Sequence, residues 1–267
     1  MEKKRLGIMG SGFLSGIVVK AWKDGLLPDY EIVGVLGRNE KTAGELAAEA
    51  GCHACKTLDE LLSLKPEYIT EAASVQMVKD SAKKVLSSGC SLVVLSIGAF
   101  ADTAFYEQVK ETAKANGTRV YIASGAVGGF DVLRTVTLMG EAAEHQRAVA
   151  GIETHKGPKS LMNTPLFEEH LLTDTEETRV FSGNAREAIS LLPTKVNVAV
   201  ASSLATIGPE NTTVQITSVP EFVGDDHKIT AEIPGVKAVV DIYSSTSAIA
   251  GWSMVAVLQN IVSPIVF

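Results

Sequence analysis

The sequence predicts an α/β fold in two parts: an N-terminal doubly wound parallel sheet, then an α+β domain with an antiparallel or mixed sheet. Three observations carry this expectation. Up to about residue 122, short apolar runs alternate with segments of helical spacing, the pattern of a parallel sheet covered on both faces. The first apolar run ends in a glycine-rich loop that opens the first helix. From about residue 125 the texture changes to turn-rich stretches between runs of alternating polarity. The boundaries drawn from that change are 1–124 and 125–245, with a C-terminal helix, 246–267, that packs back on the first domain.

Taken in order, RLGIMG is a strand that stops at glycine, and FLSGIVVKAWKDG has helical spacing with a terminal glycine. EIVGVLG is the second strand, followed by the helical EKTAGELAAEAG. CHAC (52–55) places a histidine inside a C-x-x-C. A structural zinc site wants four ligands and the sequence has no second cluster, so no metal site is expected and the stretch reads as a short connection. TLDELLSL sets Thr57 three residues before Glu60, the spacing of a capping box. EYITEAAS, SLVVLSIGAF and TRVYIASGA are strands, separated by the helices VQMVKDSAKKVLSSG and DTAFYEQVKETAKANG. Beyond them, GAVGGFD, HKGPKS and IGPENTT are turn-rich, while TTVQITSV, HKITAEI and KAVVDIYSST alternate as strands. AIAGWSMVAVLQNIV is the closing helix.

Composition narrows the function. With 267 residues, 46% of them hydrophobic, the chain has ample material for a core and for two domains. Its net charge is −7 and it has no basic block of five residues, so nucleic acid and anionic membranes are not expected partners. No apolar run approaches the roughly 18 residues of a membrane helix. The three cysteines, an odd and low number, fit a reducing compartment, and the expectation is a cytoplasmic protein acting on a small molecule. His53, His145 and His170 read as solvated or capping residues.

The loop GIMGSGFLSG has the spacing that cradles a pyrophosphate. Gly10 permits the tight turn, and Gly12 lets the phosphates approach the backbone at the helix N-terminus, with Ser15 in the third position. Opening the first βα unit, this makes the N-terminal domain Rossmann-type and assigns Gly10, Ser11, Gly12, Phe13 and Leu14 to a dinucleotide. The second strand ends in Gly37, Arg38 and Asn39, where NAD-preferring sites carry an acid for the ribose hydroxyls. A guanidinium in place of an acid favours a 2′-phosphate, so the expected cofactor is NADP, with NAD the alternative. Dehydrogenases that use a thiolate place it in the second domain, whereas every cysteine here precedes residue 91. Direct hydride transfer is therefore expected, with a polar group moving one proton.

ASGAVGGFDVL (123–133), ETHKGPKSL (153–161), LLPTKVNVAVASSLA (191–205) and DDHKI (225–229) resemble, in order and spacing, the L-aspartate dehydrogenases. EAAS (71–74) and LSIGAFAD (95–102) are similar to that family's cofactor-side segments. The resemblance implies reversible oxidative deamination of aspartate to iminosuccinate, and a homodimer. It implies that His227 is catalytic and that Ala73, Ser74, Ala126 and Asn197 touch the cofactor.

The chain departs from the family at several positions. Val219 replaces an aspartate, Asp225 replaces the asparagine of an Asn-x-His motif, and Lys195 replaces the first asparagine of Asn-Val-Asn. A late lysine is missing, where YSSTSAIAGWS stands. A dicarboxylate needs cations or convergent donors, and His155, Lys156, Lys159 and Lys195 are the candidates for that charge. An anionic Asp225 is expected to raise the proton affinity of His227 and to repel a substrate carboxylate. The alternatives are an NADP-linked dehydrogenase or imine reductase on another substrate, and a cofactor-binding protein without activity.

Overall fold

The computed structural model of the chain describes residues 2–143, 147–193 and 196–267. The N-terminal half runs β1 (Lys4–Met9), α1 (Phe13–Lys23), β2 (Tyr30–Leu36), α2 (Glu40–Ala50), β3 (His53–Cys55), α3 (Leu58–Ser63), β4 (Tyr68–Glu71), α4 (Val75–Ser87), β5 (Ser91–Val94), a 3-10 turn (Ile97–Ala101), α5 (Thr103–Asn116) and β6 (Val120–Ile122). There follow α6 (Phe130–Ala142), β7 (Val149–Lys156), α7 (Pro158–Leu161), a second 3-10 turn (Glu169–Leu172), β8 (Thr178–Asn184), α8 (Ala185–Leu191), α9 (Asn197–Leu204), β9 (Thr213–Ser218), β10 (Asp225–Ile233), β11 (Val236–Ser244) and α10 (Ala248–Val262). The chain divides into two units, Met1–Gly125 with Ala248–Phe267, and Ala126–Ser247.

In the first unit six strands pair in parallel in the order β3-β2-β1-β4-β5-β6. The order reverses between β1 and β4, and the loops that leave those two strands flank the crevice where such sheets bind ligands. Helix ends follow the local chemistry. Asn39 caps α2 by accepting from Lys41 N and Thr42 N, and Gly51 closes it in the left-handed region. Asp102 and Gly117 do the same for α5. The core gathers Leu6, Ile8, Val18, Tyr30 and Val35 with Met254 and Leu258 of α10. Each such buried aliphatic side chain contributes about 2 kcal/mol. Gly251 allows α10 to lie close on α1, since a Cβ there would come within 2.6 Å of Ile17 Cδ1. The buried Tyr30 hydroxyl donates to Leu258 O at 2.7 Å.

Three local expectations change. CHAC is not a plain connection, for His53–Cys55 form a short edge strand on β2. Only Cys55 of its residues is buried, so the strand carries no apolar alternation to reveal it. The strand expected across SLVVLSIGAF stops at Val94, and the buried Ile97–Ala101 turn as a 3-10 helix. Glu60 does not complete a capping box, because its carboxylate accepts from Lys56 N, one residue before the Thr57 cap.

The second unit holds a mixed sheet in the order β11-β10-β7-β9-β8, in which only the β7–β9 pair is parallel. β7 alternates strictly, burying Ala150, Ile152, Thr154 and Lys156, and β10 buries His227, Ile229, Ala231 and Ile233. Helix α6 packs on β10 and β11, and α9 on β7. Among the described residues, no helix is long and apolar enough to cross a membrane.

Candidate active site

At the C-terminal end of β1, Gly10 N donates to Leu36 O at 2.7 Å, and the chain turns at φ +113°. A side chain there would bring its Cβ to 2.5 Å from Ala72 O, so the turn is open to glycine alone. Gly12 is the N-cap of α1 and offers no side-chain cap, and the first turn has no acidic residue. A Cβ on Gly12 would meet nothing within 4 Å, so an open space lies at this helix end. Unsatisfied N–H groups beside open space fit the phosphates of a dinucleotide. Ser11 Oγ bonds Thr42 Oγ1 at 2.8 Å, Phe13 is exposed, Leu14 is half-buried against the core, and Ser15 is buried.

Beyond β2, Arg38 and Asn39 are both exposed. Asn39 Oδ1 is engaged in the cap of α2, and the Arg38 side chain stands exposed beside it. Gly37 is crowded: a Cβ there would overlap Ser11, coming within 2.7 Å of its Cβ. An acidic side chain at position 37 would meet this clash.

Sequence reasoning missed Glu71. It ends β4 fully buried, and its carboxylate accepts from Ala73 N (2.7 Å), Ser74 N (3.0 Å), Ser96 N (3.0 Å) and Ser96 Oγ (2.8 Å). One side chain thus ties the loop after β4, with Ala73 and Ser74, to the loop after β5. Burial raises its proton affinity, and the four donors oppose that rise. An acid ending an apolar strand, three residues before the Ser74 cap of α4, was the available signal.

In the second unit, β7 and β10 bring four polar side chains to one face, three of them buried and Asp225 half-exposed. His227 stands opposite Thr154 in the ladder, and Asp225 stands opposite Lys156. Thr154 Oγ1 and His227 Nδ1 share a 2.9 Å hydrogen bond. Lys156 Nζ, on a buried side chain, bonds Asp225 Oδ1 at 2.5 Å. Desolvation, followed by the Lys156 cation, pushes the His227 imidazole down to about 4, against an opposing pull from Asp225. Asp225 raises the histidine as expected, but the net direction is down. The aspartate is neutralised by a lysine across the ladder, and burial outweighs it. The segment before Asp225 is fixed by Tyr243, whose hydroxyl donates to Val223 O at 2.9 Å and whose ring meets Phe222 edge-on.

Of the described cations expected near the substrate, His155, Lys156 and Lys159, Lys156 alone joins this cluster. Period-two alternation puts His155 on the opposite face, 3.7 Å from Asp226. Lys159 is exposed on α7, and Lys195 lies outside the described residues, as does His145. Ala126 precedes α6 and Asn197 opens α9, and both are half-buried. Among the described residues no group of His, Cys, Asp and Glu is placed to hold a metal ion.

Residues 6–123 match the family described as homoserine dehydrogenase, NAD binding domain. With the doubly wound sheet and its glycine turn, this match defines the class: a nicotinamide-dependent oxidoreductase. Residues 139–261 match the family described as aspartate dehydrogenase, C-terminal. L-aspartate dehydrogenases of Methanococcus maripaludis and Methanosarcina mazei are 32% and 31% identical to the chain, each match covering 98% of both chains. The crystal structure of aspartate dehydrogenase from Thermotoga maritima matches with a TM-score of 0.77 at 25% identity, over 100% of both chains. The chain belongs to the L-aspartate dehydrogenase family.

Proposed function

We propose that the chain catalyses the reversible oxidative deamination of L-aspartate. The α-carbon loses a hydride and the nitrogen a proton to give iminosuccinate, and water then releases oxaloacetate and ammonia. The observation that carries this reading is the buried, neutral His227, on a strand within the stretch matched to the aspartate dehydrogenase C-terminal family. When bound, the nicotinamide ring takes up or returns the hydride.

The chain's own groups do the rest. Near neutral pH the His227 imidazole is uncharged, and we assign it the tautomer in which Nδ1–H donates to Thr154 Oγ1, so that Nε2 carries the lone pair that accepts a proton from the substrate nitrogen or from attacking water. The first unit is the dinucleotide domain, with Gly10 to Leu14 at the pyrophosphate and Ala73 and Ser74 also assigned to the cofactor; Ala126 and Asn197 are assigned to the cofactor by the family resemblance. The second unit holds the substrate and the dimer interface. Of the two dinucleotides we favour NADP, because Arg38 is exposed after β2 and Gly37 leaves no room for an acid. The three free cysteines suit a reducing cytoplasm.

One observation favours a second substrate. Lys156 is engaged by Asp225, so its charge is not free for a second carboxylate, and a monocarboxylic amino acid would suit such a site. Oxidation of NADPH and NADH with oxaloacetate plus ammonia, beside a panel of monocarboxylic 2-oxo acids, tests both. Fastest turnover with oxaloacetate and NADPH is expected. Activity confined to the monocarboxylic acids would replace aspartate as substrate, and a preference for NADH would overturn the reading of Arg38.

A further inference from the structure

The Lys156–Asp225 pair sets the face of His227 apart from the pattern of the L-aspartate dehydrogenases. A neutral asparagine was expected at position 225, and here the place is taken by a carboxylate with its own buried cation. The two residues are directly opposed in the β7–β10 ladder, one step along the same face from the opposed pair Thr154 and His227. Lys156 is buried while the Asp225 side chain keeps 38% of its exposure, so desolvation of the lysine offsets much of the attraction and the pair is a poor source of stability. Its position beside a functional imidazole calls for another role.

Resting on the reading of His227 as proton carrier, we infer that Lys156 and Asp225 are positioning residues that act through His227 and together set the pH range in which the enzyme turns over. Among the described residues, the other charges of the packed elements point away from the imidazole. On β7, Glu153 and His155 lie on the opposite face, as do Asp226 and Lys228 of β10 and Asp241 of β11. Helix α6, packed on β10, buries Leu133, Val136, Thr137 and Gly140, while its Asp131 and Glu141 are exposed and Arg134 is paired with Glu141. Helix α9, packed on β7, carries no charged residue. The two members of the pair pull on His227 in opposite directions. Removing either alone must therefore move the histidine in a direction set by the survivor.

The test follows the His227 ring by NMR titration and the pH profile of kcat/KM in Lys156→Met, Asp225→Asn and the double variant, with His227→Ala to assign the ring signal. Lys156→Met leaves an unpaired carboxylate near the imidazole, and the titration and the acid limb should both rise by about one pH unit or more. Asp225→Asn leaves an unpaired cation, and both should fall or leave the accessible range. The double variant should lie between the singles. If Lys156→Met does not fold, the downward shift in Asp225→Asn carries the test alone. Unchanged turnover in His227→Ala would overturn the reading of His227 as proton carrier. A ring titration that moves in neither folded single variant, with His227→Ala inactive, would overturn the present inference alone.

Discussion

Thr154 Oγ1 lies 2.9 Å from His227 Nδ1, across directly opposed positions of adjacent antiparallel strands. The hydroxyl occupies one ring nitrogen and so decides which one faces the chemistry. His227→Ala should lower turnover by roughly 10²- to 10⁴-fold, the range expected when a general acid or base is removed, with NADPH affinity unchanged. Thr154→Val should give a smaller loss of kcat with KM preserved. Steady-state kinetics together with cofactor fluorescence titration separate these outcomes.

Acid should weaken the fold through the same histidine. The folded-state value of His227 lies near 4, below the ordinary 6.5, so the unfolded chain takes up this proton first as pH falls. The stability held above pH 6.5 is lost progressively down toward pH 4, by up to about 3 kcal/mol from this group. His227→Gln removes that dependence. Denaturant unfolding at pH 7 and pH 4.5 should show a smaller drop for the variant than for the wild type.

The β2 end makes a paired prediction about the cofactor. Arg38→Leu should weaken NADPH binding roughly 10- to 100-fold, the loss of a charge-assisted contact, and leave NADH almost unaffected. Gly37→Asp, the obvious route to an NAD site, should instead destabilise the protein, because its Cβ overlaps Ser11. Thermal melting alongside binding of both dinucleotides checks the pair.

Glu71 should matter more for cofactor binding than its burial suggests. In Glu71→Gln the amide nitrogen faces an N–H donor that the carboxylate had satisfied, at Ser96 or at Ala73. The expected result is a loss of about 1–3 kcal/mol in stability. A raised KM for the nicotinamide cofactor should accompany it, with a smaller change in kcat, and Glu71→Ala should be worse in both.

Tyr30→Phe should remove the bond to Leu258 O and nothing else of consequence, a loss of about 1 kcal/mol. Equilibrium unfolding measures it, and kinetic constants should not move.

The parts of this architecture legible in the sequence are those coded locally. Gly10 at a strand end, Gly51 closing α2, and Asp102 and Gly117 bounding α5 each act within a few residues, so spacing alone reveals them. Period-two alternation likewise separates His155 from Lys156, although the basic cluster invited reading the two together. What spacing could not show is pairing between distant strands. Nothing near Asp225 announces that Lys156, 69 positions earlier, faces it, and the same holds for Thr154 and His227. Glu71 escaped for a related reason: three of its four partners are backbone amides, which carry no residue signature, and the fourth is the hydroxyl of Ser96, 25 positions away.

The path of the chain has a consequence for how such an enzyme changes. The first unit is interrupted after Gly125 and resumes at Ala248, and Gly125 N donates to Ser253 Oγ at 3.0 Å, so departure and return are stitched within one body. Residues 126–247 are thereby a cassette, spliced into a frame that keeps its own seam. Recombination or engineering that exchanges the insert inherits the nucleotide-binding frame intact, a modular route by which new substrates can be grafted onto an old hydride carrier.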